Sequence, residues 1–249
     1  MMKRYIKYIR RKWANISFSR NIDIQLREPI VSFTFDDAPI SAFVNGGRIL
    51  KKYSVSGTFY ISLSLMGGED PSTRFTEQHL KDSIAAHNEI GCHTYGHTEL
   101  YKVPFLDGKA DIEKNQEEIK KIIPNLTLHN FSYPFGSQTQ PIKRFIGERF
   151  KSARGIEEGI NNEHADVLNL KTVKLYEKRH PLDYIFQKIR EVKQNNGWLI
   201  FYTHDVQDDP TEWGCTPAYF EAVVQKCAEE KIKVLTVNNA LNQIENGET

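Results

Sequence analysis

Two acidic residues and two histidines have the types and spacing needed to hold a metal ion. Asp36 and Asp37 follow a run of β-forming residues in the stretch VSFTFDDAPI, residues 31–40. Two adjacent carboxylates repel each other and lose solvation on burial, so a site that keeps both ionised needs a compensating cation, usually a metal. The alternative is a turn in which an aspartate caps the next helix.

The histidine pair lies in the stretch GCHTYGHTEL, residues 91–100. His93 and His97 are four residues apart across a turn that contains Gly96. Neutral imidazoles at this spacing can converge on one zinc ion, and an aspartate from a neighbouring strand end can complete a three-ligand set with open positions. The alternative is an ordinary pair of surface or core histidines. The aspartate pair upstream favours the metal site.

Two later segments place polar groups directly after apolar runs. The stretch FSYPFGS, residues 131–137, contains a Pro-Phe-Gly turn that can point backbone N–H groups into a pocket. The stretch WLIFYTHDV, residues 198–206, carries His204 after a strongly apolar run, where a histidine could serve as a general acid. The alternative for His204 is a structural hydrogen bond to a loop.

The segments around these residues alternate between strand-like and helix-like patterns. The predicted strands are 31–35, 57–61, 90–93, 129–133, 151–154, 172–175, 198–203 and 233–237. The predicted helices are 46–52, 76–88, 108–123, 141–150, 183–195, 217–231 and 238–244. Strict alternation indicates a parallel sheet covered by helices, and seven or eight such units favour a closed or distorted barrel over an open sheet. In such a barrel, functional residues gather at the carboxyl ends of the strands.

The composition limits the class of protein. The chain has 249 residues, of which 39% are hydrophobic, and this suits one sizeable core. Its longest apolar runs are far shorter than the roughly 20 residues that a membrane helix needs. The three cysteines form no close pair, so neither a disulfide framework nor a cysteine zinc site is indicated. The basic N-terminus lacks the features of a secretory signal, so we expect a cytoplasmic protein.

The charge is unevenly distributed along the chain. Residues 1–20 carry seven Lys or Arg and no acidic residue, whereas the remainder has 26 basic and 32 acidic residues. A helix over residues 3–16 would align an apolar stripe beside these cations, as in helices that lie on anionic membranes. That stripe consists of Ile6, Ile9, Trp13 and Ile16. The alternative is a helix whose stripe packs against the rest of the protein.

The rest of the chain contains no repeat, low-complexity tract or linker that would divide it. We therefore predict two parts, a basic amphipathic arm over residues 1–28 and one barrel domain over residues 29–249. No nucleic-acid partner is expected, because no recognition motif accompanies the short basic cluster. Contact between the arm and the inner face of an anionic membrane is the expected peripheral interaction.

Taken in order, these stretches resemble the motifs of the polysaccharide deacetylases, carbohydrate esterase family four with its NodB-homology domain. The motifs are TFDD at residues 34–37, HTYGH at residues 93–97, the Pro-Phe-Gly turn and the strand-end His204. The first two are the most specific, and the resemblance extends over residues 29–237. It implies an α/β fold, a distorted (β/α) barrel with seven or eight mostly parallel strands, and metal-dependent removal of acyl groups from amino sugars.

The resemblance also implies a role for each matching residue. Three residues would be metal ligands: Asp37, His93 and His97. The expected metal is Zn²⁺, with Co²⁺ or Mn²⁺ as alternatives. Asp36 would be the general base, His204 the general acid that protonates the departing amine, and the backbone N–H of Phe135 would help to hold the oxyanion. Two neighbours in the same turn would line the substrate site: Tyr133 and Pro134.

The sequence departs from the family pattern at two places. The family's third motif begins with an arginine two residues before the proline, where it orients the base, but Ser132 occupies this position. A carboxylate that binds no metal needs a cation to hold its pKa low, and Ser132 is uncharged. Arg154 is the best substitute because it ends the next strand, although it could instead pair with a surface acid such as Glu157. The family's Asp-Trp pair, which supports the catalytic acid, has no clear counterpart.

The sequence therefore predicts a metal-dependent amide hydrolase that deacetylates an N-acetylated sugar or glycan. An intracellular precursor of a surface polysaccharide, such as an O-antigen, capsule or exopolysaccharide, is the expected substrate. One alternative is a hydrolase of a small non-sugar amide, because a barrel supports many reactions. Another is a glycan-binding homologue that is catalytically weakened by the missing arginine. Retention of Asp36 and His204 beside a complete ligand set favours an enzyme.

Overall fold

The structure of the protein is a computed structural model that describes residues 18–67 and 74–247. The amphipathic helix predicted over residues 3–16 lies outside this part of the chain. Among the helices of the described residues, none combines the length and the hydrophobicity that a membrane crossing requires.

The described residues form ten strands and seven α-helices, which alternate through most of the chain. The strands are β1 (Asn21–Ile24), β2 (Ile30–Asp36), β3 (Thr58–Ile61), β4 (Glu89–Cys92), β5 (Asn130–Ser132), β6 (Ser152–Glu158), β7 (Glu163–Asp166), β8 (Leu170–Lys174), β9 (Trp198–Thr203) and β10 (Lys233–Val234). The helices are α1 (Gly47–Lys52), α2 (Glu77–Ala85), α3 (Phe105–Ile122), α4 (Gln140–Arg149), α5 (Leu182–Asn195), α6 (Pro217–Glu229) and α7 (Val237–Glu245).

Seven parallel strands close into a barrel. They follow the order β2-β3-β4-β5-β6-β8-β9, and β9 pairs with β2 to complete the ring. The short β10 pairs in parallel with the first residues of β2. The predicted barrel of mostly parallel strands is therefore confirmed. Because all of these strands point the same way, their carboxyl ends meet at one face, where functional residues of such barrels lie.

The buried apolar side chains form two clusters, because side chains along a strand point alternately to the outside and the inside of the barrel. Phe33 and Phe35 of β2 pack outwards among helix residues such as Phe220. Ile30 and Trp198, the first residues of β2 and β9, instead pack with residues of α7. Successive side chains of a strand point to opposite sides, so one set packs under the surrounding helices and the other fills the barrel. Helix α7 covers the amino end of the barrel.

An antiparallel ribbon lies beside the barrel. Strand β1 pairs with β7 in register, from Asn21 opposite Asp166 to Ile24 opposite Glu163. Just before β1, the Arg20 side chain donates to the carbonyl oxygens of Gly147 (2.9 Å) and Phe150 (3.1 Å). Residues 20–24, which the sequence analysis placed in the basic arm, thus pack against the folded domain.

Two predicted strands differ in length from the observed ones. The strand predicted over residues 151–154 continues as β6 to Glu158, whereas the strand predicted over residues 233–237 is reduced to the two residues of β10. Thr236 explains the second difference, because its hydroxyl accepts a hydrogen bond from the Asn239 backbone N–H and starts helix α7. The capping hydrogen bond outweighs the β propensity of the preceding residues.

Three stacked phenylalanine rings hold strands β2 and β3 against the helical layer. The ring of Phe59 lies 4.5 Å from that of Phe35 and 4.6 Å from that of Phe43, and Phe59 is fully buried. Phe35 directly precedes Asp36, so this stack fixes the backbone that carries the acidic pair.

We expect Phe59→Ala to lower the free energy of unfolding by about 3–5 kcal/mol, because it removes a buried ring and leaves a cavity between two others. Chemical denaturation followed by circular dichroism measures this change. Leu106→Ala is the control, since Leu106 is 71% exposed and its truncation should cost less than about 0.5 kcal/mol. Equal losses for both variants would contradict the assignment of this stack to the core.

Candidate metal centre and active site

The predicted site residues converge at the carboxyl ends of the barrel strands. Asp36 ends β2 and Asp37 follows it, while His93 and His204 directly follow β4 and β9. Arg154 lies in β6, opposite Ser132 at the end of β5. The parallel closed barrel therefore brings together residues that are up to 168 positions apart in the sequence.

Asp37, His93 and His97 form one cluster of ligand atoms. Their donor atoms all lie within 4.8 Å of one another. Asp37 Oδ1 is 3.1 Å from His97 Nε2 and 3.6 Å from His93 Nε2, and this buried oxygen has no hydrogen-bond partner among the described residues. An orphaned carboxylate oxygen that faces two imidazole nitrogens fits a divalent cation, because one carboxylate and two imidazoles are a common zinc ligand set.

A backbone carbonyl sets the tautomer of His93. Its Nδ1 lies 2.8 Å from the carbonyl oxygen of Ser132. A carbonyl oxygen can only accept, so Nδ1 carries the proton and the lone pair of Nε2 points towards Asp37. Burial lowers the pKa of His93 to about 4, although the nearby Asp36 and Asp37 charges act in the opposite direction. The ring is therefore neutral at physiological pH, which is the form that binds a metal.

The backbone at and beside the candidate ligands adopts left-handed conformations. Asp37 has φ 57°, Thr94 has φ 63° and His97 has φ 52°. Residues other than glycine adopt this region rarely, at a cost of order 1–3 kcal/mol each, unless the surrounding structure holds them there. Hydrogen bonds hold the histidine loop, since Thr94 Oγ1 accepts from the Thr98 N–H (3.0 Å) and Asp111 Oδ1 accepts from the Gly96 N–H (3.0 Å).

Asp36 forms a buried ion pair with Arg154. The Arg154 Nη2 group donates to Asp36 Oδ1 and to the Ser132 hydroxyl, and Ser132 Oγ lies 3.3 Å from the same carboxylate oxygen. Burial by itself raises the pKa of Asp36, but the positive charge of Arg154 and the neighbouring histidines outweigh it and lower the pKa to about 2. The carboxylate is therefore ionised and held by two donors.

Arg154 is enclosed on all sides within the barrel. Its side chain is fully buried, and the guanidinium lies over the rings of Tyr202 (4.6 Å) and Tyr60 (5.3 Å). The structure thus places Arg154 against Asp36, where the sequence analysis expected a substitute for the missing arginine, and not at a surface rim. Its part in catalysis stays a prediction.

His204 faces the cluster from the opposite wall. Its Nε2 lies 4.0 Å from Asp37 Oδ2, and its Nδ1 lies 3.2 Å from the carbonyl oxygen of Trp213 and 3.5 Å from the hydroxyl of Tyr176. The sequence contains no clear counterpart of the family's Asp-Trp pair. In the structure, the main chain of Trp213 occupies the position beside Nδ1 that a supporting group requires.

The Pro-Phe-Gly turn, residues 134–136, lies beside the histidines at the same face of the barrel. Phe135 has φ 58°, its side chain is 48% exposed, and its ring lies 4.6 Å from that of His97. Gly136 has φ 61°, and a Cβ there would lie 2.3 Å from Ile156, so the turn requires glycine. Pro134 is buried in the turn, and the Tyr133 hydroxyl donates to the Leu168 carbonyl (3.1 Å). Tyr133 borders the cavity, but it is buried and its hydroxyl is engaged elsewhere.

These groups surround a cavity of about 380 Å³. This volume falls within the usual range of ligand pockets, roughly 300–1,000 Å³. Six of the lining residues were not singled out from the sequence: Ile156, Lys174, Tyr176, Arg179, Tyr202 and Trp213. The only available signal for Trp213 was a large aromatic residue after a strand end, because its position depends on how the following loop folds back.

The closed parallel barrel surrounded by helices is the fold of the carbohydrate esterase class of proteins. A family model described as polysaccharide deacetylase matches residues 23–148, about half of the chain. The chain belongs to the polysaccharide deacetylase family. Among curated proteins, none matches it significantly in sequence.

Solved structures of this family share the fold at low sequence identity. A peptidoglycan deacetylase, PdaC from Bacillus subtilis, is 16% identical over 90% of this chain and 95% of its own, with a TM-score of 0.63. The chitin deacetylase of the fungus Colletotrichum lindemuthianum is 17% identical over 87% and 89%, with a TM-score of 0.62. A CE4-family pseudoenzyme from Bacillus anthracis is 17% identical over 87% and 66%, with a TM-score of 0.61. At such low identities, the TM-scores show that these proteins share the fold of this chain, and no more.

We expect Asp37→Ala, His93→Ala and His97→Ala each to abolish tight binding of a divalent metal, because each removes one of three clustered ligands. Metal content after dialysis against Zn²⁺, measured by mass spectrometry, tests this. His164→Ala is the matched control, since His164 pairs with Asp23 at the surface. Full occupancy in all three site variants would disprove the metal centre.

The buried ion pair leads to a separate prediction about stability. Arg154→Ala should lower the free energy of unfolding by about 3–5 kcal/mol, because it leaves the Asp36 charge buried without its partner. Adding Asp36→Asn should recover part of this loss, since an amide carries no charge.

Urea denaturation of the two single variants and the double variant completes a double-mutant cycle. Arg149→Ala is the control, because Arg149 is exposed and its ion pair with Glu113 is loose, with a nitrogen–oxygen distance of 3.9 Å. We expect Arg149→Ala to lower the free energy of unfolding by about 0–1 kcal/mol. Additive effects of Arg154→Ala and Asp36→Asn would show that the two side chains do not interact.

Proposed function

We propose that this protein is a metal-dependent deacetylase that hydrolyses the N-acetyl amide of an amino sugar, in a glycan or in a surface-polysaccharide precursor. The observation that carries the proposal is the convergence, in one cavity, of an ionised carboxylate, a histidine and an Asp-His-His cluster. Membership of the polysaccharide deacetylase family supports the reaction class.

The metal would be held by Asp37, His93 and His97. Zn²⁺ is the first choice because the donor set is one carboxylate and two imidazoles, and three protein ligands leave positions open; Co²⁺ and Mn²⁺ suit a similar set. When bound, such an ion polarises a carbonyl group and makes water a stronger acid.

Asp36 would act as the general base. Its pKa of about 2 keeps the carboxylate ionised, and Arg154 and Ser132 hold one oxygen so that the other remains available to accept a proton from the attacking water. Its neighbour Asp37 points into the ligand cluster. Asp36 would therefore transfer the proton, whereas Asp37 would bind the metal.

His204 would act as the general acid. Its Nδ1 would donate a hydrogen bond to the Trp213 carbonyl oxygen, so that Nε2 is the ring nitrogen that faces Asp37 and the cavity. When protonated, Nε2, which lies 4.0 Å from Asp37 Oδ2, can donate to the departing amine nitrogen. The backbone N–H of Phe135 would contribute to the oxyanion site.

The aromatic walls suit a sugar ring. Trp213 is 43% exposed and Phe135 is 48% exposed, and both line the cavity together with Tyr176. Pockets of this kind combine apolar and aromatic walls with few convergent polar groups, which orient the ligand. A glycan substrate could place the apolar face of a pyranose on these rings while its acetamide reaches the polar floor.

A glycan-binding protein without turnover is the second candidate. Ser132 at the position of the family's arginine motivates it. The buried contact between Arg154 and Asp36 weighs against it, because the guanidinium supplies the missing charge from the adjacent strand.

Acetate release from a panel of N-acetylated sugars, short chitin and peptidoglycan fragments and nucleotide-linked sugars tests the proposal. We expect the Zn²⁺-loaded protein to release acetate from at least one sugar, and to leave simple non-sugar acetamides intact. Asp36→Asn should retain its metal while turnover falls by roughly two to four orders of magnitude, because a general base is lost. Metal binding without any acetate release from the panel would favour the binding candidate instead.

A further inference from the structure

One carbonyl oxygen anchors the histidine at the cavity. The Trp213 oxygen accepts from the His204 backbone N–H (3.1 Å) and lies 3.2 Å from His204 Nδ1. Both ends of the His204 residue, backbone and ring, are thus bound to the same acceptor. The orientation of the imidazole depends on where this carbonyl lies.

A buried carboxylate sets the position of that carbonyl through one intervening residue. Asp205 is 5% exposed, its Oδ2 accepts from the Thr211 backbone N–H (2.8 Å), and its Oδ1 accepts from the Thr211 hydroxyl (2.6 Å). The Thr211 hydroxyl oxygen in turn accepts from the Trp213 backbone N–H (3.1 Å). A chain of hydrogen bonds therefore leads from Asp205 through Thr211 to the peptide units of Trp213.

The packing around Asp205 allows little variation in this loop. A Cβ on Gly214 would lie 2.4 Å from the Asp205 carboxyl carbon and 2.5 Å from its carbonyl oxygen. That same carbonyl oxygen accepts from the Cys215 N–H (3.0 Å). The loop thus folds back closely on Asp205 and returns the Trp213 carbonyl to His204.

We propose that Asp205 and Thr211 are positioning residues, which hold the Trp213 carbonyl against Nδ1 of His204 and so fix the tautomer that presents Nε2 to the cavity. Because a carbonyl oxygen only accepts, the contact requires the proton on Nδ1. The kinetic consequence of this inference rests on the proposed deacetylase function. The tautomer itself is a property of the resting protein, so it can be measured without a substrate.

Nitrogen NMR on protein labelled at its eight histidines reads the tautomer directly. The His204→Gln variant assigns the His204 signals by their loss. We expect wild-type His204, at a pH where the ring is neutral, to show a protonated Nδ1 and an unprotonated Nε2. Thr211→Val, which removes the hydroxyl of an exposed residue, should shift the ring towards a mixture of tautomers.

We also expect the variants of Thr211 to differ in their steady-state kinetics of acetate release. Thr211→Val should lower kcat roughly three- to tenfold, the value of one hydrogen bond, while KM and metal content stay unchanged. Thr211→Ser keeps the hydroxyl and should restore both the tautomer and kcat. Thr216→Val is the matched control, because the Thr216 hydroxyl caps α6 through the Tyr219 N–H and belongs to the same loop.

Asp205→Asn tests the other end of the chain of hydrogen bonds. Like Thr211→Val, it should shift His204 towards a mixture of tautomers and lower kcat. A wild-type tautomer pattern and wild-type kcat in Thr211→Val would overturn the inference, and so would a wild-type His204 that is protonated at Nε2 alone. Failure of the wild-type protein to release acetate would instead refute the proposed function, and the NMR comparison would still decide the tautomer.

Discussion

The ion pair between Asp36 and Arg154 is the interaction on which the carboxyl end of the barrel depends. Strands β2 and β6 are separated by three strands on one side of the ring and two on the other, so the guanidinium crosses the barrel interior to reach the carboxylate. Burying either charge alone would cost several kcal/mol, and each makes the other's burial tolerable. Asp37 is the next residue and belongs to the cluster of candidate ligand atoms, so the ion pair lies directly beside that cluster.

Much of the fold follows from local pattern. The apolar run of β9 and the helical periodicity of α3 and α6 are visible in the sequence, and strict alternation implies a parallel barrel. The ribbon of β1 and β7 was not predicted, because each strand is four residues long and mostly solvent-facing, so neither has an apolar signature. The predicted strand over residues 233–237 was longer than the observed β10, because the helix-capping preference of Thr236 competes with strand propensity.

The residues of the candidate site also fall into two groups, those that the sequence predicts and those that only the structure reveals. Asp36, Asp37, His93 and His97 were found from residue type and spacing, and the order of strands alone places Arg154 beside Ser132. Tyr176 and Trp213 lie on loops that follow β8 and β9, and their place at the cavity depends on hydrogen bonds and packing between distant segments. Spacing carries no such information, which is why the cavity walls emerge only from the three-dimensional structure.

Both His93 and His204 direct the Nδ1 proton to a main-chain carbonyl, that of Ser132 in one case and that of Trp213 in the other. A backbone acceptor is insensitive to the side chain attached to it. The side chain at position 132 could therefore be substituted while the carbonyl continued to orient a candidate metal ligand, provided that another residue of the barrel supplied the charge beside Asp36. The ring at position 213 has the same freedom, so a substitution that reshapes this wall of the cavity would leave the hydrogen-bond acceptor of His204 in place.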